Sequence, residues 1–159
     1  MTSPVEEDDL LAGATAYLQS LPDLVALVGS NERGVYIWQE KPAANFEEEA
    51  TVGIVVTTSS ISFTDEAHTR HFERLGIEIW VGPFRDGMGN IIEPAETRRR
   101  LMQVYKLVDK YLNRVAPRTE FWGEIRTHSS ERIGNIDRYE PKDGNGVLVG
   151  QVFYVVELD

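Results

Sequence analysis

Cysteine is absent from this chain of 159 residues, so disulfide bridges and thiolate metal sites are excluded. No apolar run reaches the length of a membrane span, and the first residues lack the basic and apolar regions of a signal peptide. We therefore expect a protein that is made in the cytoplasm and has no contact with a membrane.

Basic residues are scarce in the first two fifths of the chain. Residues 1–66 hold 12 acidic and 2 basic side chains, whereas residues 67–159 hold 14 of each. The formal net charge of −10 therefore comes from the first part, including the run Glu47, Glu48 and Glu49. An acidic surface repels a phosphate backbone, so tight nucleic-acid binding is disfavoured. The simplest interpretation of these acids is a solvated surface.

Two segments have helical periodicity. The first, about 8–21, starts at an aspartate in position 8 or 9 that we expect to cap it, and it ends before Pro22. The second, about 94–114, starts with Pro94, which suits a first helical position. Each segment carries an apolar stripe, formed by Leu10, Leu11, Ala14, Tyr17, Leu18 and Leu21 in the first and by Leu101, Val104, Tyr105, Val108, Tyr111 and Leu112 in the second.

The rest of the sequence is rich in strand patterns. Val52–Thr58 is β-branched without alternation, which is typical of a central strand. A C-terminal hairpin, about 133–158, is predicted around the turn Asp143-Gly144-Asn145-Gly146. Further strand-like runs are Val35–Trp38, Leu75–Val81 and Phe121–Thr127. We predict an α+β fold in a single domain, residues 1–159, with a mixed or antiparallel sheet of five to six strands packed by the N-terminal helix and one long helix.

The last strand is apolar on both of its faces. A strand with one wet face alternates apolar and polar residues, but Val147–Leu158 does not. It therefore needs cover on two sides, and we expect a helix of the same chain on one side and a neighbouring subunit on the other. The predicted subunit-contact strand contains Val152, Phe153, Tyr154 and Val155.

One cluster resembles a set of metal ligands. His68 and His71 are three residues apart and are flanked by acids, and imidazole suits zinc. The segment from His68 to Glu73 is polar, however, and lacks the Glu of a zincin-type motif. We prefer a solvated loop and assign no metal and no cofactor.

Three other features have ordinary structural explanations. Ser129 and Ser130 follow His128 without a nucleophile elbow, so a hydrolase is disfavoured. Arg98–Arg100 has acids nearby and is typical of a solvated helix face. The tryptophans suit core or interface packing, and they are Trp38, Trp80 and Trp122. We assign no catalytic residue.

The order of elements and several short motifs resemble tail terminator (tail-to-head joining) proteins of long-tailed bacteriophages. The motifs are Ala16–Leu24 running to Leu27-Val28-Gly29, the strand end Ile79–Pro83 and the C-terminal hairpin. The likeness covers most of the chain. It implies a homohexameric ring at the head-proximal end of the virion tail, in contact with the tail tube protein and with a head-completion or connector protein. DNA would pass through the ring without tight binding.

On this interpretation, Glu47, Glu48 and Glu49 line the channel or lie at a ring contact. We expect loops over 41–50 and 84–91 to dock on neighbouring rings. The alternatives are a head-completion or stopper protein at the same joint, a monomeric acidic binding or inhibitor module, and a metal-dependent hydrolase that uses His68 and His71.

Overall fold

A computed structural model describes residues 7–32, 34–40, 51–64, 71–115, 119–140 and 146–158. In these ranges the helices are α1 (Glu7–Gln19), α2 (Pro22–Val25) and α3 (Pro94–Leu112). The strands are β1 (Ser30–Asn31), β2 (Gly34–Val35), β3 (Ile37–Gln39), β4 (Val52–Thr64), β5 (His71–Val81), β6 (Phe84–Arg85), β7 (Ile91–Ile92), β8 (Glu120–Trp122), β9 (Ile125–Tyr139) and β10 (Leu148–Leu158).

Six of the strands form one mixed sheet in the order β3-β4-β5-β10-β9-β8. Strands β3 and β4 are parallel, and every other neighbouring pair in this sheet is antiparallel. The predicted α+β fold with a five- to six-stranded sheet is confirmed. Strands β9 and β10 pair antiparallel where the C-terminal hairpin is predicted, and residues 141–145 of its turn lie outside the described residues.

The core lies between one face of this sheet and the two longer helices. Both predicted stripes supply buried side chains to it, among them Leu10, Leu18, Leu101 and Leu112, which are fully buried. Tyr105 and Tyr111 of the second stripe are half-buried at its margin. Because apolar residues recur every three or four positions, each helix turns one continuous face toward the sheet.

Four predicted boundaries differ from the structure. Helix α1 already includes Glu7, so the aspartates at 8 and 9 lie within its first turn and do not cap it. Helix α3 ends at Leu112 because Asn113 leaves helical geometry, with φ −94° and ψ 76°. Tyr36 separates β2 from β3, so the expected strand Val35–Trp38 is broken.

The fourth difference concerns β9, which is one long strand where two runs were predicted. Its register against β10 shifts between the pairs Gln151↔Asp137 and Phe153↔Ile133. Gly134 lies in this irregularity with φ +70°, a conformation that glycine adopts without steric cost. This bulge interrupts the alternation of side chains between the two faces, and β9 continues to pair with β10 beyond it.

Candidate assembly surfaces

Strand β10 directs its side chains alternately to the helices and to the open face of the sheet. Val152 and Tyr154 are 1% and 0% exposed, and both belong to the core under the helices. Phe153 and Val155 are half-buried on the opposite face. Of the predicted contact strand, therefore, only these two side chains are placed where a neighbour can touch them.

The open face of the sheet carries apolar side chains among charged ones. Six of the apolar side chains that the register places on it are Trp38, Val55, Trp80, Val149, Phe153 and Val155, and Arg74, Glu78 and Gln151 lie on the same face. Val55 and Val149 are buried, whereas the other four apolar side chains are half-buried. The second face of the terminal strand is therefore partly covered by the chain itself.

Gly76 explains part of this cover. It pairs with Phe153 across the β5–β10 ladder, and a Cβ built on Gly76 would lie 3.1 Å from Cε1 of Phe153. The Phe153 ring thus rests on the glycine backbone. A glycine in a central strand is costly, and here an aromatic ring fills the space.

Of the two histidines considered as metal ligands, the structure describes only His71. His68 lies outside the described residues. His71 is the first residue of β5, so the prediction of a loop through Glu73 is wrong at this point. Nε2 of His71 lies 2.9 Å from Oε1 of Glu73, whose side chain is buried. Within the described ranges there is no group of three or more His, Asp or Glu side chains that could hold a metal.

Ser130 has a structural partner. Its hydroxyl donates to the carbonyl of Leu112, the last residue of α3, and its backbone pairs with Arg114. The last carbonyl groups of a helix such as α3 have no intrahelical partner, and this bond satisfies one of them. The hydroxyl is engaged in fixing the helix end against β9.

The arginine run at 98–100 also has local partners. Arg99 Nε donates to Oε2 of Glu96 at 2.8 Å, and Arg100 Nε lies 3.6 Å from Oε1 of the same residue. The Arg100 guanidinium also stands 4.6 Å from the centre of the Phe84 ring. The Glu96 carboxyl has a lowered pKa because Arg99 donates to it. The expected solvated helix face is thus observed.

The tryptophans occupy two environments. Trp122 is fully buried and stacks on Tyr17 at 5.3 Å between ring centres. Trp38 stacks on Tyr36 at 5.1 Å, and Trp38 and Trp80 are half-buried on the open face. Trp122 is therefore a core residue, and the other two suit an interface.

The segment 84–91, expected to be a mobile loop, forms a hydrogen-bonded hairpin from β6 and β7. Met88 at its tip is 88% exposed, and Ile91 is 49% exposed. The sequence predicts a loop over 84–91 but does not predict an ordered apolar tip. The alternation of glycine with Met88 was the available signal.

A groove of about 790 Å³ lies between α2 and α3. Its apolar wall contains Leu27, Met102 and Leu107, which are half-buried. Lys106 and Lys110 also line it.

The acids predicted to line a channel, Glu47 to Glu49, lie outside the described residues, so the structure does not test this prediction.

The fold is shared with a solved virion structure. A chain of the "Virion of native gene transfer agent (GTA) particle" matches with a TM-score of 0.56 and 11% sequence identity, over 94% of this chain and 93% of that chain. No family model matches the sequence, and no curated protein matches it. In the described residues, no helix is long and apolar enough to cross a membrane. The likeness establishes a common fold over nearly the whole length of both chains.

Proposed function

We propose that this protein is a structural component of a phage-like virion, and that it forms a tail-terminator ring. In this proposal six copies cap the completed tail tube and present a surface to the head-completion or connector protein. DNA passes through the central channel without tight binding. The chain is made in the host cytoplasm and resides at the head-proximal end of the tail, and it has no catalytic residue, cofactor or membrane partner.

The observation that carries the proposal is the fold match to a chain of the gene transfer agent particle, which spans more than nine tenths of each chain. Such a match accounts for the whole domain and not for a fragment. The element order that resembles tail terminators supports the finer assignment. It agrees with the structure in the N-terminal helix, the long helix and the C-terminal hairpin.

The half-buried side chains of the open face give a further argument for assembly. Trp38, Trp80 and Phe153 contribute aromatic surface there. Aromatic residues are enriched where protein interfaces exclude water. Ring contacts are heterologous, so each subunit must carry two different complementary surfaces.

A head-completion or stopper protein at the same joint is the second candidate, because the virion match fits it equally well. A tube-binding experiment separates the two. Purified chain is mixed with its tail tube protein, the mass is measured by light scattering, and tube ends are imaged by electron microscopy.

We expect rings on one end of each tube. Binding to the head connector without binding to the tube would favour the stopper. A chain that stays monomeric with both partners would overturn the proposal and favour an acidic binding module.

A further inference from the structure

The hairpin of β6 and β7 presents one apolar side chain on a well-built turn. Oδ1 of Asp86 accepts hydrogen bonds from the backbone N–H groups of Met88 at 2.8 Å and Asn90 at 3.0 Å. Nη1 of Arg85 donates to the Gly89 carbonyl at 2.9 Å. These bonds hold the turn while leaving Met88 in solvent. Ile91 and Ile92 of the same hairpin are also exposed, and grouped exposed apolar residues, unlike single ones, are a mark of a contact site.

The charge at this tip is also defined. The pKa of Asp86 is lowered, chiefly because the N–H groups of Asn90 and Met88 donate to its carboxylate. The tip therefore combines an apolar side chain with an ionised carboxylate two residues away, and the cationic Arg85 lies next to that carboxylate in the chain. A complementary surface needs an apolar recess with cationic groups beside it.

The groove between α2 and α3 has that composition. Leu27, Met102 and Leu107 supply apolar wall, and the three cations Arg99, Lys106 and Lys110 outnumber the one carboxylate of the lining, Asp23. Its volume of about 790 Å³ exceeds what a single methionine side chain fills, so the tip backbone has room beside it. Methionine is flexible and suits irregular recesses of this kind.

The tip and the groove do not meet within one chain. Met88 is 88% exposed, so it does not occupy the groove of its own subunit. A contact between two different surfaces of the same chain is heterologous. Repeated from subunit to subunit, such a contact forms a closed ring if the rotation between neighbours divides a full turn. A second copy of this chain carries the same tip and can therefore supply the occupant of the groove.

We propose that Met88 of one subunit inserts into the α2–α3 groove of the next, with Asp86 beside Lys106 and Lys110. This contact deepens the proposed function, since it rests on the ring. Met88 acts as the apolar anchor, and the charges fix its orientation. Buried anchors of this kind supply most of the binding energy of an interface, whereas exposed ion pairs contribute little.

The absence of cysteine gives a direct test. A disulfide requires the two Cα atoms to lie about 4.4–6.8 Å apart, so it reports contact. Met88→Cys is made in one tagged chain and Gln103→Cys, on the groove wall, in a second chain of different mass. The two variants are mixed, assembled with tube protein and then oxidised. We expect a cross-linked heterodimer of the two chains.

Phe121→Cys is the matched control for the groove cysteine. Phe121 is 61% exposed but is adjacent along β8 to the buried Trp122, so it points away from the helices. We expect at least tenfold less cross-linking between Met88→Cys and Phe121→Cys. Equal cross-linking of the two pairs would mean random collision and would overturn the contact.

Assembly provides a second readout. Met88→Asp is expected to reduce ring formation on tubes at least tenfold, whereas the conservative control Met88→Leu retains it. Circular dichroism checks that each variant is folded. Rings that form normally with Met88→Asp, or that give no Met88–Gln103 cross-link, would refute this contact while leaving the proposed ring intact. A wild-type chain that never assembles with its tube would instead remove the ring and this contact with it.

Discussion

The hydroxyl of Tyr154 donates a 2.9 Å hydrogen bond to Oδ1 of Asp109, which joins the terminal strand to the long helix. Nη1 of Arg132 on β9 lies 2.8 Å from the other carboxylate oxygen, Oδ2. The Tyr154 ring is fully buried, so its hydroxyl needs a partner inside the fold. Asp109 therefore connects α3 to two neighbouring strands.

Removing this hydroxyl is expected to destabilise the fold without creating a cavity. Tyr154→Phe leaves the ring in place but deletes the donor to Asp109, and hydrogen bonds to charged groups contribute about 1.5–3 kcal/mol. Urea unfolding of the purified chain measures the loss. Tyr139→Phe is the control, since its hydroxyl lies at a surface 3.3 Å from Glu78. Equal losses in both variants would contradict a special role for Asp109.

Alkaline pH is expected to weaken the fold. Burial raises the pKa of Tyr154, and it raises the pKa of Tyr17 from 10.0 to about 12. Because the pKa is higher in the folded state, the tyrosine of the unfolded chain loses its proton first as the pH rises. The contribution of these tyrosines to the free energy of unfolding is therefore fully present below pH 10 and is lost as the pH rises toward 12. Urea midpoints from pH 8 to 11.5 measure this slope. Tyr17→Phe and Tyr154→Phe should each flatten it, and an unchanged slope in both would contradict the assignment.

The contact between Leu101 and Gly150 predicts a pair of coupled effects. Leu101 is fully buried, so Leu101→Ala should cost about 2–5 kcal/mol. A Cβ on Gly150 would lie 2.9 Å from Leu101 Cδ2 and 2.7 Å from Ile136 Cδ1, so Gly150→Ala should cost about 1–3 kcal/mol by overpacking.

In the double variant the smaller residue at 101 makes room for the new methyl group. The decrease in the free energy of unfolding of the double variant, measured in urea, should therefore be smaller than the sum of the decreases in the two single variants. Gln103→Ala, at an exposed position of α3, is the control and should be near neutral. Strict additivity would show that Leu101 does not limit the space at Gly150.

His71 is expected to contribute to stability and not to metal binding. His71→Ala removes the group 2.9 Å from the buried carboxylate of Glu73, and the loss of one intramolecular hydrogen bond costs about 0.5–1.5 kcal/mol. His71→Gln should recover part of the loss. His68→Ala should leave folding and assembly unchanged. Stoichiometric zinc in protein purified without added metal, and lost in these variants, would overturn this prediction.

The acidic run at 47–49 remains a prediction about the channel. Replacing Glu47, Glu48 and Glu49 by Lys should leave the ring intact, because surface charge contributes little to holding subunits together. If these acids line the channel, the variant should gain salt-sensitive DNA binding or slow DNA passage, since lysines release counterions from phosphates. Electrophoretic mobility at two salt concentrations measures the binding. An intact ring with neither effect would place the acids away from the channel.

The local patterns in the sequence were sufficient for the helices and for most strands. The stripe from Leu101 to Leu112 has the 3.6-residue period of a helix, and Pro94 begins it as expected. The aliphatic alternation in Leu75–Val81 likewise lies in β5. These features follow from residues close in the chain. The start of this strand, His71–Glu73, was missed because two of its three residues are polar, and its pairing with β10 depends on residues far away in the sequence.

What the sequence by itself determined is thus the fold class, the element order and the two-sided apolar character of the last strand. Only the tertiary structure decided that β10 lies between β5 and β9, that Val152 and Tyr154 turn inward, and that Phe153 and Val155 turn outward. The reason is that strand register and neighbours depend on contacts between distant residues, such as Tyr154 and Asp109, which no local period encodes. The same holds for the Met88 tip and the α2–α3 groove, which form only once the chain is folded.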